Sequence, residues 1–265
     1  MATTLTSLTF SPTNGLGERY SQALEKIAAA ESAAGVELGS TTLIVVSKTH
    51  PADLVLELLE LGATNFGENR DQEAAPKAEA VADEINLARA EGRWVGADAA
   101  WHFIGQLQSN KVKSVLRYAS SIHSLDRPSL LQALVKELDK ERQAAEAVGS
   151  WVRASKSLPV FIELNLTGQA ERGGILPENL LDFAEQVLQS ENLQLEGVMG
   201  VAGLDVEPGI DFDRIRAASE SLQSLAPNAK FISAGMSGDY EIAIRHGATH
   251  VRIGTSITGK RDYSV

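Results

Sequence analysis

Eight short apolar runs, each separated from the next by a longer stretch of helix-period sequence, restrict this chain more than any other feature. They are TLIVVSK (42–48), TNFGEN (64–69), WHFIG (101–105), SIHSLD (121–126), VFIELNL (160–166), LEGVMGVAG (195–203), KFISAG (230–235) and HVRIGTS (250–256). Most are apolar at successive positions rather than alternate ones, the pattern of strands buried on both faces, as in a covered parallel sheet. The connections carry helix punctuation. Pro51 suits a first-turn position ahead of the stripe Leu54, Val55, Leu58, Leu59 and Leu61. Pro128 and Pro177 open two more helices, and Gly62 and Gly247 sit where helices should stop. A lead-in helix, about Glu18 to Glu37, precedes the first strand. Eight strand–helix alternations in about 215 residues fit a closed (β/α)8 TIM-type barrel. A doubly wound open sheet is the alternative, but no GxGxxG follows the first strand. The segments 86–100 and 149–158 read as excursions between elements, so one domain is expected over 1–265, its barrel spanning about 42–263.

Charge and composition then remove whole classes of function. The formal net charge is −11, so the surface as a whole repels nucleic acid and anionic membranes. The absence of cysteine excludes disulfides, a thiolate nucleophile and thiolate metal ligands. The opening MATTLTSLTFSPTNG lacks a basic start and an apolar core, so no signal peptide is expected, and no run is long enough to span a membrane. The expectation is a soluble, cytoplasmic, monomeric protein that acts on a small molecule.

A parallel barrel places its chemistry at the carboxyl ends of its strands. Those ends carry Lys48, Asn69, Gly105, Asn165, Gly203, SAGMSGD (233–239) and RIGTS (252–256). A lone lysine closing an apolar strand is ordinarily a solvated surface group, but on that rim it is also placed to react with a carbonyl, and a lysine desolvated among other cations is held as the free amine. SAGMSGDYEIAI reads as strand, glycine turn, and a helix beginning near Ser237 to Asp239, whose first N–H groups could bind phosphate with Ser237 as an extra donor. RIGTSITG repeats the arrangement with Gly254 and Thr255, although Ser237 and Thr255 could also serve only as helix caps. From Ile242 to Arg261 there is no acidic residue, while Arg245, Arg252, Lys260 and Arg261 are basic, Arg252 within a strand. His246 and His250 are four apart but separated by Gly247, which argues against a metal pair. His102 fits a satisfied core histidine, and Asp98, Asp126 and Glu163 show no pairing that argues acid–base work. A reactive lysine beside a phosphate cradle leaves two ligand classes, a sugar phosphate in a Schiff-base aldolase or pyridoxal 5′-phosphate.

VVSKTHP, FGENRDQEA, WHFIGQLQSNK, GVMGV and SAGMSGDYEIAIRHGATHVRIGTSITGKRDY together resemble the pyridoxal phosphate homeostasis protein family, the stand-alone barrels related to the N-terminal domain of alanine racemase. The likeness runs from about Thr42 to Tyr263. It implies pyridoxal 5′-phosphate as cofactor, with Lys48 as the aldimine lysine. It further implies Ser237, Gly254 and Thr255 as phosphate contacts with Met236 nearby, Arg252 facing the pyridine nitrogen, and Asn69 beside the ring. Two departures, Ala234 in SAGMS and Gln106 in GQLQSNK, leave those positions in place, and NLTGQAERGG (165–174) also differs and is assigned no role. The resemblance implies a carrier in vitamin B6 and amino-acid homeostasis without turnover, with cofactor-requiring apoenzymes as candidate partners. A cation beside the pyridine nitrogen weakens the ring as an electron sink, and no second domain supplying an opposing base is expected. The alternative is a small pyridoxal-phosphate-dependent amino-acid racemase.

Overall fold

The computed structural model describes residues 7–147, 157–167, 172–203 and 206–259. Leu16, Tyr20, Ala23, Ile27 and Ala30 recur three and four residues apart and form the buried face of the lead-in helix α1 (Leu16–Ala34). The strands follow as β1 (Thr42–Val46), β2 (Asn65–Glu68), β3 (Ala100–Phe103), β4 (Ala119–Leu125), β5 (Leu158–Glu163), β6 (Leu193–Met199), β7 (Phe231–Ser233) and β8 (His250–Ile253). They pair in parallel, in chain order, and β8 closes onto β1 with Ile44 opposite Arg252. The eight-stranded TIM-type barrel expected from the alternation is the fold.

The helices between strands are α2 (Ala52–Glu60), α3 (Asp71–Ala90), α4 (Val112–Val115), α5 (Pro128–Ala147), α6 (Leu180–Leu188), α7 (Pro208–Leu225) and α8 (Tyr240–Arg245), and α9 (Thr255–Thr258) follows β8. Two boundaries differ from the sequence expectation. The stretch 86–100 is helical as far as Ala90, because Ile85 and Ala88 prolong the buried stripe begun by Val81. The helix after β7 starts at Tyr240, not at Ser237 to Asp239: the Asp239 carboxylate accepts the Met236 N–H at 2.6 Å, and the Met236 carbonyl accepts from Asp239 and Tyr240. Those bonds close a turn that delays the helix.

Strand parity separates two environments. Outward residues such as Val45, Phe66, Trp101, Val251 and Ile253 pack with α1 to α3, and Ile122, Val160, Ile162 and Val198 pack with the helices on the far side. Full burial of each large apolar side chain stabilises the fold by roughly 1.5–3 kcal/mol, so this outer layer holds the barrel shut. The inward set is different. Ile44, Val46 and Ile104 meet over Gly67, where an added Cβ would lie 3.0 Å from Ile44 and Ile104. Around them lie His102, His123, His250, Phe161, Phe231, Ser233 and Arg252. No helix among the described residues is long and apolar enough to cross a membrane.

Candidate functional site

β1 ends at Val46, and Lys48 stands two residues beyond it in a turn. Ile44 and Val46 face inward, and Lys48 follows them at the carboxyl end of the strand, on the rim of the barrel. The side chain is exposed, so the desolvated setting expected of a reactive lysine is not what surrounds it. Ser47 N–H still donates to Gly67 O at 3.1 Å, and His50 N–H closes the turn on Ser47 O at 3.1 Å. The residue after the lysine, Thr49, has φ 73°, the one non-glycine residue among those described with positive φ. A β-branched residue there is strained.

The loops after β7 and β8 come together. Gly235 has φ 88°, and a Cβ on it would lie 2.6 Å from Ala243 Cβ, so only glycine lets the chain turn this tightly onto α8. Ser237 Oγ then accepts the Gly254 N–H at 3.2 Å, joining the two loops. Ser237 is thus half-buried and bonded across the loops, not capping its own helix. Thr255, the exposed first residue of α9, and Ser256 have N–H groups that no helical carbonyl can accept. Gly254 packs against Val46, its would-be Cβ 3.5 Å from Val46 Cβ, which sets the cradle two residues from Lys48. Met236 is 40 % exposed at the edge of the cradle.

Asn69 follows β2 and sits so close to Gly105 that a Cβ there would be 2.4 Å from Asn69 O. Its Oδ1 is buried without a hydrogen-bond partner, an acceptor left for a ligand's donor. Arg252 lies inside the barrel, 4 % exposed. It donates from Nη1 to Ser233 O and Oγ at 2.7 and 2.8 Å, and from Nη2 to Gly200 O at 3.1 Å. Burial lowers its pKa to about 10 despite Glu163 and Asp239 nearby. Arg245 is exposed on α8, and Lys260 and Arg261 lie outside the described residues, as do 149–156 and 168–171. His246 bonds Asp213 at the surface while His250 faces inward, so the two share no site.

Three features escaped the sequence reading. The first is a buried ion pair, Lys77 Nζ to Glu68 Oε1 at 2.6 Å, in which Lys77 also donates to Ser47 O at 2.8 Å. The second is a chain of neutral imidazoles. Asn65 Oδ1 meets His102 at 3.0 Å, His102 meets His123 at 2.9 Å, and His123 meets Ser233 Oγ at 2.9 Å. Burial, reinforced by His250, lowers the His102 pKa to about 3. Burial, with Arg252 beside it, lowers His250 to about 4, and His123 lies well below its usual value for the same reasons. The third is the setting of the scattered carboxylates. Asp98 does sit at the surface with Arg89, and Asp126 pairs with Arg127. Glu163, however, is pushed up to about 7, by burial first and then by Asp126, against Arg252 and Arg127. It borders a cavity of about 200 Å³ with Asn165, Arg172 and Val201, across the mouth from Lys48.

The chain matches the family model for the N-terminal domain of alanine racemase over residues 24–262. It is 37 % identical over 237 residues to the pyridoxal phosphate homeostasis protein of Mycobacterium leprae, covering 88 % of each chain. To that of Aquifex aeolicus it is 36 % identical over 252 residues, 93 % of this chain and 98 % of the relative. Among solved structures, PipY of Synechococcus elongatus, with PLP bound, superposes with a TM-score of 0.71 at 29 % identity, covering 92 % of this chain and 100 % of PipY.

Proposed function

We propose that this chain, which belongs to the pyridoxal phosphate homeostasis protein family within the alanine racemase N-terminal domain family, binds pyridoxal 5′-phosphate at the barrel mouth and serves vitamin B6 and amino-acid homeostasis. The observation that carries the reading is the joined cradle: Ser237 bonded to Gly254, and Gly254 packed on Val46 two residues before Lys48. When bound, the cofactor would supply an aldehyde able to form an imine, and Lys48 is the residue whose amine would hold it there. The Ser237 hydroxyl and the free N–H groups at Thr255 and Ser256 hold the phosphate, with Gly254 giving the backbone room and Met236 at the edge. Asn69 Oδ1 accepts from the ring side. Arg252 holds a fixed positive charge beneath the mouth, which opposes a proton on the pyridine nitrogen. That charge favours a carrier over a catalyst, because the ring then withdraws electrons poorly.

The test is an absorbance titration of purified protein with pyridoxal 5′-phosphate. A borohydride-sensitive imine band should form and be lost in Lys48→Ala, and a band retained in that variant overturns the assignment. Ser237→Ala should weaken binding roughly tenfold or more, the worth of one hydrogen bond to a charged oxygen. Loaded protein incubated with L-alanine in deuterium oxide should give no D-isomer and no Cα exchange at or above about 1 s⁻¹, the low end of ordinary enzymes. Faster turnover makes the racemase the better reading.

A further inference from the structure

We infer that Lys77 and Glu68 are positioning residues for Lys48, fixing the turn from which it reaches the ligand; this rests on the role proposed above for Lys48. The carbonyl of Ser47 belongs to the peptide joining it to Lys48. That oxygen accepts twice, from His50 N–H at 3.1 Å and from Lys77 Nζ at 2.8 Å. Ser47 Oγ donates to Glu68 Oε1 at 2.9 Å, the oxygen that also accepts from Lys77 at 2.6 Å, and Ser47 N–H donates to Gly67 O. Every polar group of Ser47 is therefore held, and all three residues are buried: Ser47 and Glu68 completely, Lys77 at 7 % exposure.

Two observations separate a positioning device from ordinary core packing. A buried ion pair is a poor source of stability, because desolvating both charges offsets their attraction, and apolar side chains would fill the same space as well or better. The charge is also aimed at a strained place. The turn Ser47 to His50 carries Thr49 at φ 73°, in the third position of a turn where glycine is preferred. Without an added hold on the Ser47 carbonyl, that turn relaxes toward negative φ at Thr49 and swings Lys48 away from the mouth. The charge-assisted bond from Lys77 supplies the hold. Its surroundings are ready for it. Tyr118 and Lys111 each lie against Asp71 in the adjoining shell, and Glu68 Oε2 is buried without a protein partner.

The experiment compares two ligands in two backgrounds. Pyridoxal 5′-phosphate can be captured by Lys48; pyridoxamine 5′-phosphate, with an amine in place of the aldehyde, cannot. Lys77→Met should lower affinity for the aldehyde about tenfold or more while changing affinity for the amine less than about twofold, since only covalent capture depends on the aim of Lys48. It should also shift the absorbance band of the captured ligand. In a Lys48→Ala background the same substitution should leave aldehyde affinity unchanged, the signature of coupling in a double-mutant cycle. Equal losses for both ligands, or an undiminished loss without Lys48, make Lys77 a structural brace and overturn the inference. If Lys77→Met does not fold, the paired change Lys77→Met with Glu68→Leu, which leaves no buried charge, carries the same comparison. A wild-type protein that binds both ligands equally, with no dependence on Lys48, overturns the parent reading too and is recognised before any Lys77 variant is made.

Discussion

The corner where β1 and β2 meet α3 and the interior of the barrel both bury polar side chains, and they solve the problem in opposite ways. At the corner, Lys77 and Glu68 form a close ion pair, 2.6 Å apart, and share Ser47 between them. Inside the barrel, His102, His123 and His250 are driven to the neutral form, and the column ends at one fixed cation, Arg252. Paired charges attract over distance and fix geometry firmly, so they suit a turn that must not move. Neutral imidazoles tolerate burial at less desolvation cost and transmit no net charge toward a cofactor site. The corner is built to aim, and the interior to support.

The largest effect should come from breaking the corner. Glu68→Ala leaves the Lys77 ammonium buried and alone, and should lower unfolding free energy by about 3–5 kcal/mol in urea titrations. Replacing both partners by apolar residues should recover most of that loss. A double variant as unstable as the single one would mean that the pair does hold the fold together.

Acid should distinguish the interior. A histidine whose folded pKa lies below its unfolded value of about 6.5 binds its proton more readily unfolded, so stability rises with pH through this window and is lost as pH falls from 6.5 toward the folded values near 4 and 3. At pH 5 each such histidine should withdraw about 2 kcal/mol. His250→Phe, set among Phe161 and Phe231, should reduce the fall in stability between pH 7 and pH 5 by one such share. An unchanged fall would mean that His250 is not held neutral.

Glu163 should give a change of the opposite slope. Its folded pKa of about 7 exceeds the usual carboxylate value, so the folded state holds the proton longer and stability is lost as pH rises from about 4.5 through 7. Glu163→Gln should gain about 3 kcal/mol at pH 8 and less than about 1 kcal/mol at pH 5. A gain equal at both values would point to packing.

The barrel was legible because parallel strands announce themselves by continuous apolar runs, and all eight fell where the runs were read. The rim positions of Lys48, Ser237, Gly254 and Thr255 followed from strand ends alone. What stayed hidden is tertiary. Lys77, in APKAEA, looks like any exposed lysine on an acidic helix, and only the packing of α3 against β1 and β2 buries it. His123 follows Ile122 in an apolar run with nothing to mark it as a link between His102 and Ser233. The delayed start of α8 is hidden because Ser237 to Asp239 read as the beginning of the helix, whereas the Asp239 carboxylate reaches back to the Met236 N–H. Arg252 lies inside the strand as its sequence indicates, but its partners, the carbonyls of Ser233 in β7 and of Gly200 just past β6, are 19 and 52 residues away.

The ring of strands also has a consequence for how such a protein can be altered. Every position assigned to the ligand lies on one arc, on or after β7, β8, β1 and β2, which are consecutive neighbours in the closed sheet. Gly105 after β3 packs on Asn69 and Gly200 after β6 accepts from Arg252, but the ends of β4 and β5 can be lengthened, trimmed or given new loops while leaving those positions attached to the same staves. Closure lets one arc keep its shape while the opposite arc is rewritten, a freedom that an open sheet with two loose edges lacks. A designer wishing to add substrate selectivity to this scaffold would graft it beside Glu163 and Arg172, and leave the arc from Phe231 round to Glu68 untouched.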